Sequence, residues 1–366
     1  MKVLFFIESL RAGGKERRII ELLKGLKRYP DVEVELVLTR KEIHYQEIYD
    51  LNIPLHIIER KYLKKDPRLF LKFYKVARKF GPDLIHVWGH MVAVYAVPTV
   101  WKLGIPLLNN EITDATPGQK RLGKDIVFNA SSRIIANTKA GLIAYGAPVE
   151  KSGVIYNGFN FNRLQQLAPK EEIRQKFDIA TPFVVAMVAT FSAYKDYKTY
   201  IKSALEVLEQ RDDVTFLCVG DGDDGAFKAM VPAKHANRIR FTGKQNKVES
   251  IMNVCDIGVL ATDVRNHAEG ISNALMEFMA LARPVIATNF GGSVELVVNN
   301  KTGFLVEAFD HADLGSKIQL LLQDSDKRIR MGQAAKKRIE DEFSIDRMIS
   351  SFYQEYKSLT KEVIPS

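Results

Sequence analysis

Short runs of consecutive apolar residues recur along the chain, and between them the apolar positions fall three and four apart. The first pattern fits strands buried on both faces, and the second fits helices with one apolar stripe. "KVLFFI" (2–7), "VEVELVL" (32–38), "LHII" (55–58), "DLIHVW" (83–88), "IPLLN" (105–109) and "RIIAN" (133–137) are the first strand series, with helical segments such as 15–28 and 68–80 between them. "FVVAMVA" (183–189), "VTFLCVG" (214–220), "RIRFTG" (238–243), "IGVLA" (257–261), "PVIAT" (284–288) and "GFLV" (303–306) are the second. Apolar strands alternating with helices predict parallel sheets covered on both faces, and two series predict two doubly wound, Rossmann-like α/β domains. The pattern breaks at "LAPKEEIRQKF", where Pro169 and a charged helix start intervene. This predicts one domain over 1–165 and a second over 166–347, with a C-terminal helix of about 348–366 packing back on the first.

A chain of 366 residues suits two cores, and 46% hydrophobic with 27% charged residues marks a globular protein. No apolar run approaches the ~18 residues of a transmembrane helix. The start "MKVLFFIESLRAGG" reads as a strand and turn rather than a signal peptide. Cys218 and Cys255, the two cysteines, lie in apolar surroundings as buried free thiols, which predicts a reducing cytoplasm. The net charge of +9 is uneven: residues 1–165 carry 27 Lys and Arg against 16 Asp and Glu. No zinc spacing, RNA-stacking motif or recognition helix accompanies this excess, so nucleic acid is not the expected partner. An anionic acceptor or membrane surface fits better. In "DPRLFLKFYKVARKF" (66–80), Arg68, Lys72, Lys75 and Lys79 form a stripe on a helix, which serves either as a solvated face or as an anionic-lipid contact.

Ligands of doubly wound sheets bind beyond the carboxyl ends of the strands, so the chemistry is sought there. In "FIESLRAGGKERRIIELL", Gly13 and Gly14 separate a strand from a helix and let backbone amides approach a phosphate, although a plain tight turn has the same sequence. In "VATFSAYKDYKTYIKSA", Lys195 stands between strand and helix, where an ammonium can neutralise a pyrophosphate or simply be solvated. "CVGDGDDG" (218–225) offers Asp221 and Asp223 as a paired-carboxylate lookalike, better read as a turn, and no metal site is assigned. "EGISNALMEFMALARPVIATNFGG" (269–292) places Glu269 in a loop, Ser272 or Asn273 as the cap of a helix running to about Leu281, Glu277 about one turn into it, and a Gly-Gly turn after the next strand. Carboxylates beside a helix mouth suit a polyhydroxyl or anionic ligand, since each accepts several hydrogen bonds.

This cassette resembles the E-x7-E region of the family 4 retaining glycosyltransferases, which have the two-domain GT-B fold with parallel sheets facing a central cleft. The resemblance runs in order along nearly the whole chain. "LRAGGKER" is similar to the family's amino-terminal turn, "VIYNGFNFNRL" (154–164) to its interdomain segment, "CVGDG" to its Gly-Asp-Gly turn, and "FTGKQNKVESIMNVCDIGVLAT" to its base-binding loop and following helix; "NNKTGFLV" and "FSIDRMISSFYQEYKSL" match as well. It implies metal-independent transfer of a sugar from a nucleotide-diphosphate sugar to a polysaccharide, glycolipid or lipid-linked acceptor, with retention and without a cofactor. Glu269 is implied to contact the donor sugar, Glu277 the ribose, the amides of Gly270, Ile271 and Ser272 the sugar or diphosphate, and Gly13 and Gly14 the β-phosphate. Lys195 is implied to stabilise the departing diphosphate. Two family residues differ: Thr190 stands where an arginine is usual and Ile112 where a histidine is common, leaving Arg17, Arg18, His86 and His90 as alternative sources of those groups. The other readings are a non-catalytic sugar-nucleotide-binding subunit of a glycosyltransferase complex, a GT-B sugar-nucleotide epimerase and a phosphorylase. The expected location is cytoplasmic, peripheral on the inner face of the cell membrane.

Overall fold

The computed structural model describes residues 1–11, 13–59, 66–116, 123–265 and 267–361. They form two compact units, Met1–Gly158 with the segment from Ile345, and Phe159–Ser344.

The first unit contains strands β1 (Lys2–Ile7), β2 (Glu33–Leu38), β3 (Leu55–Ile57), β4 (Leu84–Trp88), β5 (Leu107–Ile112), β6 (Arg133–Ala136) and β7 (Ser152–Val154). They form one parallel sheet in the order β3-β2-β1-β4-β5-β6-β7. The apolar runs become strands because both faces are covered. Helices Gly14–Leu26 and Ile345–Lys361 close one face around Phe5, Leu22, Phe352 and Tyr356. Helices Arg68–Phe80 and His90–Leu103 close the other around Phe6, Phe73, Val87 and Val92. The C-terminal helix lies close enough to Gly25 that a Cβ there would collide with Ile349. Arg28 also pairs with Asp346 at 2.5 Å, and the rings of Tyr29 and Tyr353 stack 3.9 Å apart. Strand β7 has no apolar run of its own: it is three residues long, and a Cβ on Gly153 would lie 2.7 Å from the Arg133 guanidinium.

The second unit contains β8 (Phe183–Val188), β9 (Val214–Val219), β10 (Ile239–Gly243), β11 (Ile257–Leu260), β12 (Val285–Thr288) and β13 (Gly303–Val306). Its parallel order is β10-β9-β8-β11-β12-β13. Tyr197 and Tyr200 of helix Tyr197–Leu208 donate their hydroxyls to the carbonyls of Ala189 and Val185 at 2.7 and 2.9 Å, fixing that helix on β8. The strand order reverses between β8 and β11, the switch point at which doubly wound sheets receive ligands. Lys195 lies in the first loop and Glu269 in the second. Cys218 and Cys255 are free and buried, and burial raises both thiols.

Candidate active site

The β8 and β11 loops are laced together by the chain itself. Asp196 donates its amide to the Ala261 carbonyl at 3.0 Å, and Lys195 forms an isolated antiparallel bridge with Thr262. This lacing places the Lys195 ammonium in an ion pair with the Glu269 carboxylate. His267 Nε2 lies 3.6 Å from the same carboxylate, with the Tyr194 ring 5.0 Å from the imidazole. Burial pushes the Lys195 ammonium down to about 8. The sequence cassette's terminal glycines explain how Glu269 is held. Gly292 donates its amide to the Glu269 carbonyl at 2.7 Å. Gly291 has φ of +58°, and a Cβ there would lie 2.6 Å from the same oxygen. The Gly-Gly turn is thus the seat of the Glu269 backbone.

Behind Glu269, Gly270, Ile271 and Ser272 lead into helix Asn273–Ala280. Ser272 caps it by accepting from the Leu275 amide at 3.4 Å, and buried Ile271 anchors the entry. Glu277 is 3% exposed. Arg163 Nη2 donates to Glu277 Oε1 at 2.6 Å and also pairs with Glu249. Burial alone would lower the guanidinium, but the Glu277 and Glu249 charges outweigh it and raise its pKa. Arg163 and Glu249 were not singled out from the sequence, although Arg163 lies inside "VIYNGFNFNRL" and Glu249 inside "FTGKQNKVESIMNVCDIGVLAT". Their chemistry is visible only once helix Val248–Val254 and the turn Phe161–Leu164 both meet Glu277.

Thr190 is exposed just beyond β8. Its neighbour Phe191 donates its amide to the Asp221 carbonyl at 2.7 Å, and Gly222, with φ of +116°, packs beneath it. The Asp221 and Asp223 carboxylates accept the amides of Gly222 and Gly225, each at 3.0 Å, which is turn chemistry. Among the described residues no group of three or more His, Cys, Asp or Glu is placed to hold a metal ion.

In the first unit, Gly13 caps helix Gly14–Leu26 with extended backbone and no side-chain cap. The Tyr45 hydroxyl donates to its carbonyl at 3.0 Å. The Glu16 carboxylate packs on Gly13, where a Cβ would collide with it, and Lys15 lies 3.6 Å from Glu16. Arg17 is half-buried. Arg18 is buried, donates to the Ile155 carbonyl at 2.5 Å, and lies 5.3 Å from the rings of both Trp88 and Phe352. Burial pushes it down to about 9. His86 is sealed in the core, 2.8 Å from the Tyr356 hydroxyl, with burial and then Arg18 holding it well below its ordinary pKa. Ile112 is core as well. His90 differs: it opens helix His90–Leu103, and its Nδ1 is 3.0 Å from Glu111 Oε2.

Comparison with known proteins identifies the family and the fold. The family model "Glycosyltransferase Family 4" matches residues 12–163, and "Glycosyl transferases group 1" matches residues 169–338. The chain is 28% identical over 214 residues to the capsular polysaccharide biosynthesis glycosyltransferase CapM of Staphylococcus aureus, covering 56% of this chain and 54% of CapM. It is 23% identical over 317 residues, 80% of each chain, to the UDP-Gal:alpha-D-GlcNAc-diphosphoundecaprenol alpha-1,3-galactosyltransferase of Escherichia coli. Its fold is similar to that of Anabaena HepE, crystallised with UDP and glucose, with a TM-score of 0.81 at 23% identity over 98% of this chain and 100% of that one. The two Rossmann-like units are those of a GT-B fold, and the two family models follow one another along almost all of the sequence. The chain belongs to the family 4 glycosyltransferases.

Proposed function

We propose that this glycosyltransferase is retaining and metal-independent, and that it moves a sugar from a nucleoside diphosphate sugar to a glycan or lipid-linked acceptor. The observation that carries the reading is the Lys195–Glu269 ion pair at the carboxyl ends of adjacent strands. Glu269 accepts hydrogen bonds from donor-sugar hydroxyls, while the amides of Gly270, Ile271 and Ser272 meet the sugar or diphosphate. Glu277, steadied by Arg163, accepts from the ribose hydroxyls. Gly13 and Gly14, at the mouth of helix Gly14–Leu26, offer backbone amides to a phosphate. As the anomeric C–O bond breaks, negative charge collects on the diphosphate, and the Lys195 ammonium stabilises it from a fixed position. The acceptor hydroxyl attacks from the same face and passes its proton to the leaving phosphate oxygen, so configuration is retained. Thr190 brings a hydroxyl and no charge to its position, so Lys195 supplies the cation on this side of the donor.

The names of the two relatives support the acceptor class, since one works in capsular polysaccharide biosynthesis and the other on a diphosphoundecaprenol-linked sugar. An anionic membrane surface on the cytoplasmic side is the matching partner. Lys75, Arg78 and Lys79 are exposed on helix Arg68–Phe80 beside exposed Leu71, and Trp101 is 61% exposed on helix His90–Leu103. No helix among the described residues is long and apolar enough to cross a membrane. Equal binding at low salt to neutral and anionic vesicles removes the membrane part of the reading.

The deciding experiment incubates the protein, with a chelator, against UDP-, GDP- and ADP-sugars. Slow donor hydrolysis with an α-configured first product supports the reading. An isomerised donor indicates an epimerase, binding without turnover indicates a non-catalytic subunit, and activity restored only by a divalent cation overturns metal independence.

A further inference from the structure

The polar end of β5 is not used by that reading. Asn109, Asn110 and Glu111 follow one another there, all buried, a run of three polar residues inside a parallel sheet covered on both faces. Such a run is costly unless its groups find partners. Asn109 Oδ1 accepts the Glu111 amide at 3.1 Å, which fixes the strand end. Glu111 Oε2 lies 3.0 Å from His90 Nδ1, while Glu111 Oε1 is buried with no hydrogen-bond partner among the described residues. His90 itself is placed by Gly89, whose φ of +138° turns the chain from β4 into the helix. The pair therefore joins the carboxyl ends of two adjacent strands, β4 and β5, and β4 flanks the point beside β1 where the strand order reverses. The Glu111 carboxylate repels an anionic group and suits a neutral polyhydroxyl one.

Resting on the transferase reading, we propose that His90 and Glu111 form an acceptor-recognition pair that binds a hydroxyl of the acceptor sugar. Glu111 positions the imidazole by accepting from Nδ1–H, which sets the tautomer, and its second oxygen accepts from the acceptor. The attacking hydroxyl keeps its own proton for the leaving phosphate.

The test measures transfer to octyl glycosides of glucose, galactose and N-acetylglucosamine beside hydrolysis of the same donor by water, with thermal unfolding as a control. His90→Gln is expected to lower kcat/KM for the accepted glycoside by about 10- to 100-fold, mainly through KM, while donor hydrolysis stays within about twofold. Glu111→Gln, which keeps a hydrogen-bond acceptor, is expected to lose less than Glu111→Ala. Equal losses in transfer and hydrolysis make the pair structural and overturn the proposal, as does unchanged transfer by His90→Gln. Hydrolysis without transfer to any of the glycosides by the unsubstituted protein overturns recognition of a neutral glycan. Absence of both reactions overturns the transferase reading and this proposal with it.

Discussion

The two units treat cations held away from solvent in opposite ways. In the second unit Lys195 faces Glu269, and Arg163 faces both Glu277 and Glu249. In the first, buried Arg18 meets the Ile155 carbonyl and two aromatic rings, and among the described residues it has no carboxylate partner and no hydrogen bond to Nε or Nη1. Paired cations hold their carboxylates in place, which suits a ligand bound by many directed hydrogen bonds. An unpaired buried cation aims nothing and bears its desolvation cost, so its place must come from packing.

The largest expected effect tests the paired side. Lys195→Ala should lower turnover by about 10²–10³-fold, since one preorganised charge at the leaving group is lost. The pH profile sharpens this. Burial lowers Lys195 to about 8, so the ammonium is fully present below that pH and lost above it. An alkaline limb in kcat/KM centred near 8 is expected for the free enzyme, and a flat profile from 6 to 9 would show that turnover does not require the Lys195 ammonium.

Arginine removal breaks the comparison directly. Arg163→Met leaves two carboxylates facing each other and should destabilise the fold by about 2–3 kcal/mol, below the fully buried figure because the side chain is partly exposed. Arg18→Met removes a cation that has no countercharge and should change stability by less than about 1 kcal/mol. Denaturant unfolding of both variants decides it, and equal losses would erase the distinction. On the ligand side, Glu277→Gln should weaken donor and free nucleoside diphosphate alike by about 1.5–3 kcal/mol. Glu269→Gln should reduce turnover and leave free nucleoside diphosphate binding nearly intact. Calorimetry separates the two roles, and similar weakening of free nucleotide by both substitutions would contradict them.

A smaller effect is expected at Gly291. Alanine at φ of +58°, with its Cβ against the Glu269 carbonyl, should cost about 1–2 kcal/mol of stability and lower turnover by displacing Glu269. Unfolding curves and steady-state rates measure both. The smallest is none at all: Asp221→Asn with Asp223→Asn should keep activity in the presence of a chelator, because both carboxylates serve the turn. Loss of activity restored by manganese would reverse that assignment.

Much of this molecule is legible along the chain because its strands are buried on both faces. An apolar run such as "FVVAMVA" needs no partner to be recognised, and the motifs after such runs fall where the sheet order puts them. Strand β7 was not legible, since "SGV" has no apolar run and joins the sheet through its pairing with β6. His86 and His90 look alike in "IHVWGH", yet one is sealed against Tyr356 and the other faces Glu111. Periodicity and local turn chemistry, which act over a few residues, determined the two α/β series, the helix mouth behind Ser272 and the glutamate cassette. Tertiary structure alone decided which charges meet: Arg163 with residues 86 and 114 positions away, and the Gly291 turn beneath Glu269. Coulomb and steric interactions act through space, and the sequence spacing of two residues does not say how close folding brings them.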